Sequence, residues 1–165
     1  MAEQSAGDES AVARQAQADL SWLRQAIELS RRCPPSETAF SVGAVLVSDA
    51  GDVIATGYSR ELDPKDHAEE VALAKAGDDP RLARAVLYSS LEPCLSRASR
   101  PRSCAELIVA AGIPRVVIAW LEPPLFASGG GAGRLRSAGV TVDEIPWLAE
   151  LARSINAHLL PDRSG

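Results

Sequence analysis

Residues 40–58, FSVGAVLVSDAGDVIATGY, decide the fold. Segment 40–47 (FSVGAVLV) is almost continuously apolar, and segment 53–58 (VIATGY) is its natural hairpin partner. Asp49, Ala50, Gly51 and Asp52 between them form a turn. Upstream, Leu20, Leu23 and Ile27 recur at helical spacing, with Ala26 and Leu29 widening the stripe. That helix must stop before Cys33, because Pro34 and Pro35 cannot continue it. Downstream, residues 63–66 (DPKD) read as a loop and 67–76 (HAEEVALAKA) as a helix stopped by Gly77. A buried strand at 85–91, a helix at 104–111 closed by Gly112, a strand at 115–120 and a short strand at 140–142 follow. The last helix is expected over 146–159, and the glycine-rich run at 128–133 as a turn-forming loop without the Lys-Ser/Thr of a phosphate-binding loop. One hairpin followed by alternating helices and strands predicts an α/β fold, a mixed five-stranded sheet between helices in three α/β/α layers.

A chain of 165 residues fits one domain, here residues 17–165. Residues 1–16 lack an apolar period and are expected to be a flexible tail or a loose helical extension. Apolar residues at 46% with mixed charge exclude global disorder. No apolar run is long enough for a membrane span, and the acidic, polar start lacks the order of a secretory signal. A cytoplasmic location is therefore expected. The net charge of −5 argues against partners bound through long stretches of phosphate, so no long nucleic acid is expected as ligand.

The cysteine count of three is odd, and in a reducing compartment a disulfide framework is not expected. Cys33, at the end of the first helix with no ligand-type neighbour, reads as a packing residue. Cys94 follows Pro93 at a strand end, and Cys104 opens the next helix. With His67 they offer one imidazole and two thiolates, a donor set that suits zinc. Three protein ligands leave a fourth position open, as catalytic sites do. Glu69, two residues from His67, is not needed to complete that shell and is placed for proton transfer. Blander readings exist for each residue. Asp66 and Glu69 also fit a helix capping box, His67 a surface histidine, and either cysteine a small core residue. His158 reads as a packing or surface residue.

The pattern His-x-Glu with Pro-Cys and a later Cys resembles the cytidine-deaminase-like zinc superfamily. Within it, residues 38–47 (TAFSVGAVLV), 57–62 (GYSREL), 91–94 (LEPC), 104–108 (CAELI) and 133–139 (GRLRSAG) resemble the pyrimidine deaminases of riboflavin biosynthesis. The resemblance implies hydrolytic deamination of an aminopyrimidinone ribonucleotide, its sugar ribosyl or ribityl. In it His67, Cys94 and Cys104 hold zinc, activated water attacks the amino-bearing carbon, and Glu69 shuttles protons. Two alternatives stay open: deamination of another small base or nucleoside (cytosine, cytidine or guanine), or a non-catalytic zinc-stabilised binding domain. The resemblance further implies a homodimer, and a reductase as a separate protein because 165 residues cannot also contain one.

Candidate substrate contacts follow. Phe40 and Ser41 precede the buried strand and are expected to line the pocket. Arg60 and Glu61 could touch ribose or base, or else form a surface ion pair. Arg97, Arg100 and Arg102 lie in the loop between the cysteines (LSRASRPRS, residues 95–103), one residue longer than in familiar bacterial members and without histidine. Any of the three could hold a phosphate, or all could be solvated.

Overall fold

A computed structural model describes residues 2–126 and 129–162. Five strands form one sheet: β1 (Gly43–Val47), β2 (Val53–Tyr58), β3 (Val86–Ser89), β4 (Arg115–Ile118) and β5 (Thr141–Glu144). Their order is β2-β1-β3-β4-β5. β1 runs antiparallel to both β2 and β3, whereas β3, β4 and β5 are mutually parallel. The parallel pairs need crossover connections, which α3 (Cys104–Ala110) and α4 (Gly131–Ser137) supply. α1 (Ala2–Ser30) packs on β1 and β3, with α5 (Ala149–Ile155) beside it. α2 (Ala68–Ala76) packs on β2 and β1 and, with α3 and α4, forms the other layer. β1 and the inner part of β3 are buried, as a strand covered on both faces must be.

Two glycines on adjacent strands let the helices approach from opposite sides. A Cβ at Gly43 would overlap the Ala26 carbonyl oxygen of α1, and one at Gly57 would overlap the Ala68 carbonyl oxygen of α2. In each case the obstacle is backbone, so a side chain can be accommodated only by moving a helix. Gly43→Ala and Gly57→Ala are each expected to lower stability by about 1–3 kcal/mol, read as a fall in thermal midpoint. Gly51→Ala is the wrong control, because its φ of 86° carries its own strain.

Asp19 ties α1 to the sheet centre. It accepts from the Tyr88 hydroxyl (2.7 Å) and from two Arg115 nitrogens (2.9 and 2.7 Å), while Arg115 Nε also donates to Asp143 (2.8 Å). No helix among the described residues is long and apolar enough to cross a membrane.

Several boundaries differ from the sequence reading, each for a physical reason. The segment preceding Leu20 is helical back to Ala2, and residues 7–16 are exposed along it. Its helix-forming Ala, Gln, Glu and Arg need no buried stripe. The first strand starts at Gly43 rather than Phe40, because Phe40 and Ser41 give their backbone groups to Arg60 and Asn156 instead of a ladder. The expected loop at 128–133, of which residue 128 lies outside the described residues, turns into α4 at Gly131. Glycines hide this helix from propensity, yet Ala132 and Leu135 are buried by it. The expected last helix is divided into a 3₁₀ turn at Pro146–Leu148, α5, and a further turn at Ala157–Leu159.

Candidate active site and metal centre

Three loop–helix junctions bring the donor atoms together. His67 is the N-cap of α2 and keeps extended backbone angles (φ −95°, ψ 152°), but its side chain makes no capping bond. Asp66 fixes the approach to it, Oδ2 accepting from the N–H groups of Leu62 (3.0 Å) and Asp63 (2.8 Å). The imidazole is thereby turned towards α3, with Nδ1 3.4 Å from the Cys104 sulfur. Cys104 is the first residue of α3, anchored by a reciprocal capping box between Ser103 and Glu106 (3.2 and 2.9 Å). Cys94 Sγ accepts the Cys104 backbone N–H at 3.3 Å, so both sulfurs sit at the start of that helix.

The His67, Cys94 and Cys104 donor atoms all lie within 4.8 Å of one another. A nitrogen and two sulfurs this close can share one ion, and their softness matches zinc. The hydrogen bond from the Cys104 thiol, opposed by burial and aided by His67, holds the Cys94 thiol well below its ordinary range. The same bond, together with burial, pushes Cys104 up. One thiolate is thus ready, and the second proton is what a cation must displace.

Beside this cluster is a cavity of about 280 Å³, with His67, Glu69, Cys94, Phe40, Glu122 and Phe126 in its wall. Glu69 is buried, and desolvation raises its pKa against the opposing pull of His67 and Ser89. The Ser89 hydroxyl lies 2.7 Å from Glu69 Oε1 and 2.7 Å from the Leu91 carbonyl oxygen. With a single proton, Ser89 donates to an ionised Glu69 or, when Glu69 is protonated, accepts from it and donates to Leu91. The alternative capping box of Asp66 with Glu69 does not form. The observed box is at Ser103 and Glu106 instead, leaving Glu69 for the cavity.

The other candidates are placed unevenly. Phe40 lines the cavity and meets Trp120 and Phe126 edge to face, centroids 5.4 and 5.0 Å away. Ser41 is outside the lining; its hydroxyl accepts from Arg60 and its N–H donates to Asn156. Arg60 lines the cavity at a left-handed backbone position (φ 60°), its guanidinium committed to the carbonyls of Pro34 and Phe40 and to Ser41. Glu61 pairs with Lys75 at 2.5 Å. Arg97 also lines the cavity, but its side chain is only 3% exposed and bonds Glu70 and the Lys65 carbonyl. Arg100 pairs with Asp63, Asp66 and Glu70, and Arg102 lines a different depression with Glu106 and Arg134. Cys33 donates to the Val42 carbonyl and His158 contacts the Ser36 carbonyl.

Sequence reasoning passed over four residues here: Lys65, Ser89, Glu92 and Glu122. Glu92 is buried and its two oxygens accept from the N–H groups of Glu122 (3.1 Å) and Ala132 (2.9 Å), joining the Cys94 loop to the segment before α4. A hydroxyl pair ending a buried strand and acids flanking prolines were the available signals.

Three clustered ligands, two of them sharing a cavity wall with a buried carboxyl, on a three-layer mixed sheet, define a metal site of hydrolytic type. The chain belongs to the cytidine and deoxycytidylate deaminase zinc-binding family, whose model matches residues 16–120, a span containing all four residues. It is 39% identical over 126 residues to diaminohydroxyphosphoribosylamino-pyrimidine deaminase of Schizosaccharomyces pombe, covering 74% of this chain and 31% of that one. The fold superposes on RibD of Acinetobacter baumannii with a TM-score of 0.71 at 34% identity, covering 88% of this chain and 40% of that one. It also matches the Rib2 deaminase of Aspergillus oryzae with a TM-score of 0.72 at 25% identity, covering 83% and 89%. The chain spans about a third of the length of the curated relatives it matches. The mixed five-stranded sheet is that of the cytidine-deaminase-like fold.

Proposed function

We propose that this chain is a zinc-dependent deaminase acting on an aminopyrimidinone ribonucleotide in riboflavin biosynthesis. The observation that carries the reading is Glu69, a buried carboxyl in the wall of a cavity shared with His67 and Cys94. The names borne by its relatives supply the substrate class. Zinc held by His67, Cys94 and Cys104 supplies Lewis-acid activation of water when bound. Ser89 occupies Oε1 of Glu69, which leaves Oε2 to carry two protons in turn, the first from the attacking water to a ring nitrogen and the second from the added hydroxyl to the departing amine. Burial raises the carboxyl's affinity for a proton, the direction that proton delivery needs. Phe40 and Phe126 offer flat apolar surface to a pyrimidine ring, and Trp120 backs Phe40 from outside the cavity lining. Arg60 and Arg97 act by holding the walls, since their donors are already engaged.

The direct test measures ammonia release by the zinc-loaded protein on diaminohydroxyphosphoribosylaminopyrimidine, its ribityl counterpart, cytosine, cytidine and guanine. Turnover confined to the last three would replace this reading with that of a base or nucleoside deaminase, and zinc binding without turnover of any would leave a binding domain.

The substrate phosphate needs a cation whose donors are not already used. Lys65 lines the cavity, is exposed, and has no ion pair among the described residues. Lys65→Ala is expected to raise KM for the phosphorylated substrate about tenfold and to leave KM for the dephosphorylated form alone. Equal KM changes for both forms would remove Lys65 from this role.

Residues 17–165 are read as the deaminase domain, with 1–16 an extension outside it. Free thiols at Cys33, Cys94 and Cys104 fit a reducing, cytoplasmic compartment. Exposed Leu95, Leu121, Leu125 and Phe126 near the cavity mouth fit a homodimer, which sedimentation equilibrium would test.

A further inference from the structure

The cavity wall contains a further carboxyl, Glu122, that this reaction does not use. Glu122 shares the cavity with Glu69, Phe40 and Phe126. Its backbone is fixed, because its N–H donates to Glu92 Oε1 at 3.1 Å and Glu92 Oε2 is anchored by the Ala132 N–H. Its side chain is not satisfied: Oε2 is buried and has no hydrogen-bond partner among the described residues. Burial first, then the negative neighbours Cys94, Glu69 and Glu92, push its pKa up to about 8. The arginines in the same wall do not relieve it, since Arg60 and Arg97 donate to Pro34, Phe40, Ser41, Glu70 and Lys65. A buried acceptor in a cavity wall, rigidly mounted and without a donor, calls for a donor from the ligand.

We propose that Glu122 is a specificity residue, accepting a hydrogen bond from the exocyclic amino group of the pyrimidine that the reaction retains. The inference rests on the aminopyrimidinone reading above and deepens it. A diamino, ribosylamino-substituted ring carries such additional donors, whereas cytosine has one exocyclic amino group and loses it in the reaction. Ionised or protonated, the carboxyl retains an oxygen that can accept. A site built around a polar partner rejects ligands lacking it, because its own buried group is then left unpaired.

The experiment compares kcat/KM for diaminohydroxyphosphoribosylaminopyrimidine and for an analogue in which the amino group that is retained is replaced by hydrogen. Wild type, Glu122→Gln and Glu122→Leu are assayed with zinc content and thermal midpoint measured in parallel. The wild-type preference is expected to be about 100-fold, to collapse towards unity in Glu122→Leu, and to survive in large part in Glu122→Gln, which keeps an accepting oxygen. Glu122→Gln carries the test if the leucine variant does not fold: its preference must then stay within about tenfold of wild type. A wild type that turns over both substrates without preference, or a preference unchanged in Glu122→Leu, overturns the inference while leaving the deaminase reading intact. A wild type that turns over neither overturns both.

Discussion

Glu69→Gln is expected to lower kcat for ammonia release by about 10⁴-fold with zinc content unchanged. The substitution keeps the size of the side chain and a hydrogen bond to Ser89, so α2 and the cavity wall should remain in place. What it removes is the group that carries protons, and the reaction needs two such transfers, one to the ring nitrogen and one to the departing amine. The loss should fall on kcat rather than KM, because the amide can still fill the same space against a bound ring. Metal analysis separates this outcome from a collapsed site: Glu69 is not among the three clustered donors. A variant that retains its zinc and more than a tenth of wild-type kcat would show that another group moves the proton.

Gly131→Ala is expected to weaken zinc binding about 10–100-fold and to lower stability by about 3 kcal/mol. α4 begins at Gly131, where a Cβ would overlap the Pro93 carbonyl oxygen, directly before the Cys94 ligand. Neither partner can rotate away, since both are main chain. Relief requires either backing α4 off or displacing the Pro93–Cys94 link, and Glu92 resists the first through its bond to the Ala132 N–H. The strain therefore reaches the metal ligand. Gly133→Ala is the matched control, two residues along the same helix with nothing within 4 Å of its Cβ position. It should retain wild-type zinc affinity and gain slightly in stability from better helix propensity. If both variants bind zinc alike, the close approach at Pro93 does not govern the site.

How much was legible beforehand depended on whether the signal was local. Val45, Leu46 and Val47, with Ala55 across the turn, announce a buried hairpin by composition alone. The His67, Glu69, Cys94 and Cys104 set was readable because donor chemistry restricts which residue types can serve, whatever their spacing. The glycine run before α4 gave the opposite signal to what it does. Glycine lowers helix propensity, yet Gly131 is needed because a backbone carbonyl occupies the space of its side chain. The arginine loop was likewise opaque. Charge says that Arg97 and Arg100 want partners, but their commitment to Glu70, Asp63 and Asp66 depends on the approach of a segment some 30 residues away. Lys65, inconspicuous in its loop, keeps its charge on the cavity rim.

The hairpin of residues 43–58 and the helix–strand alternation as far as β4 were determined by the sequence itself, as were the three donors and the proton-carrying carboxyl, because side-chain chemistry and periodicity are local properties. The tertiary structure decided which charges remain available to a ligand and which carboxyl is left without a partner. Ser89 meets Glu69 only because the end of β3 reaches the first turn of α2, and Glu122 enters the cavity only because Glu92 holds its backbone there. Desolvation and pairing are set by groups distant in sequence, so Glu69 and Glu122 acquire their different roles only when the chain has folded.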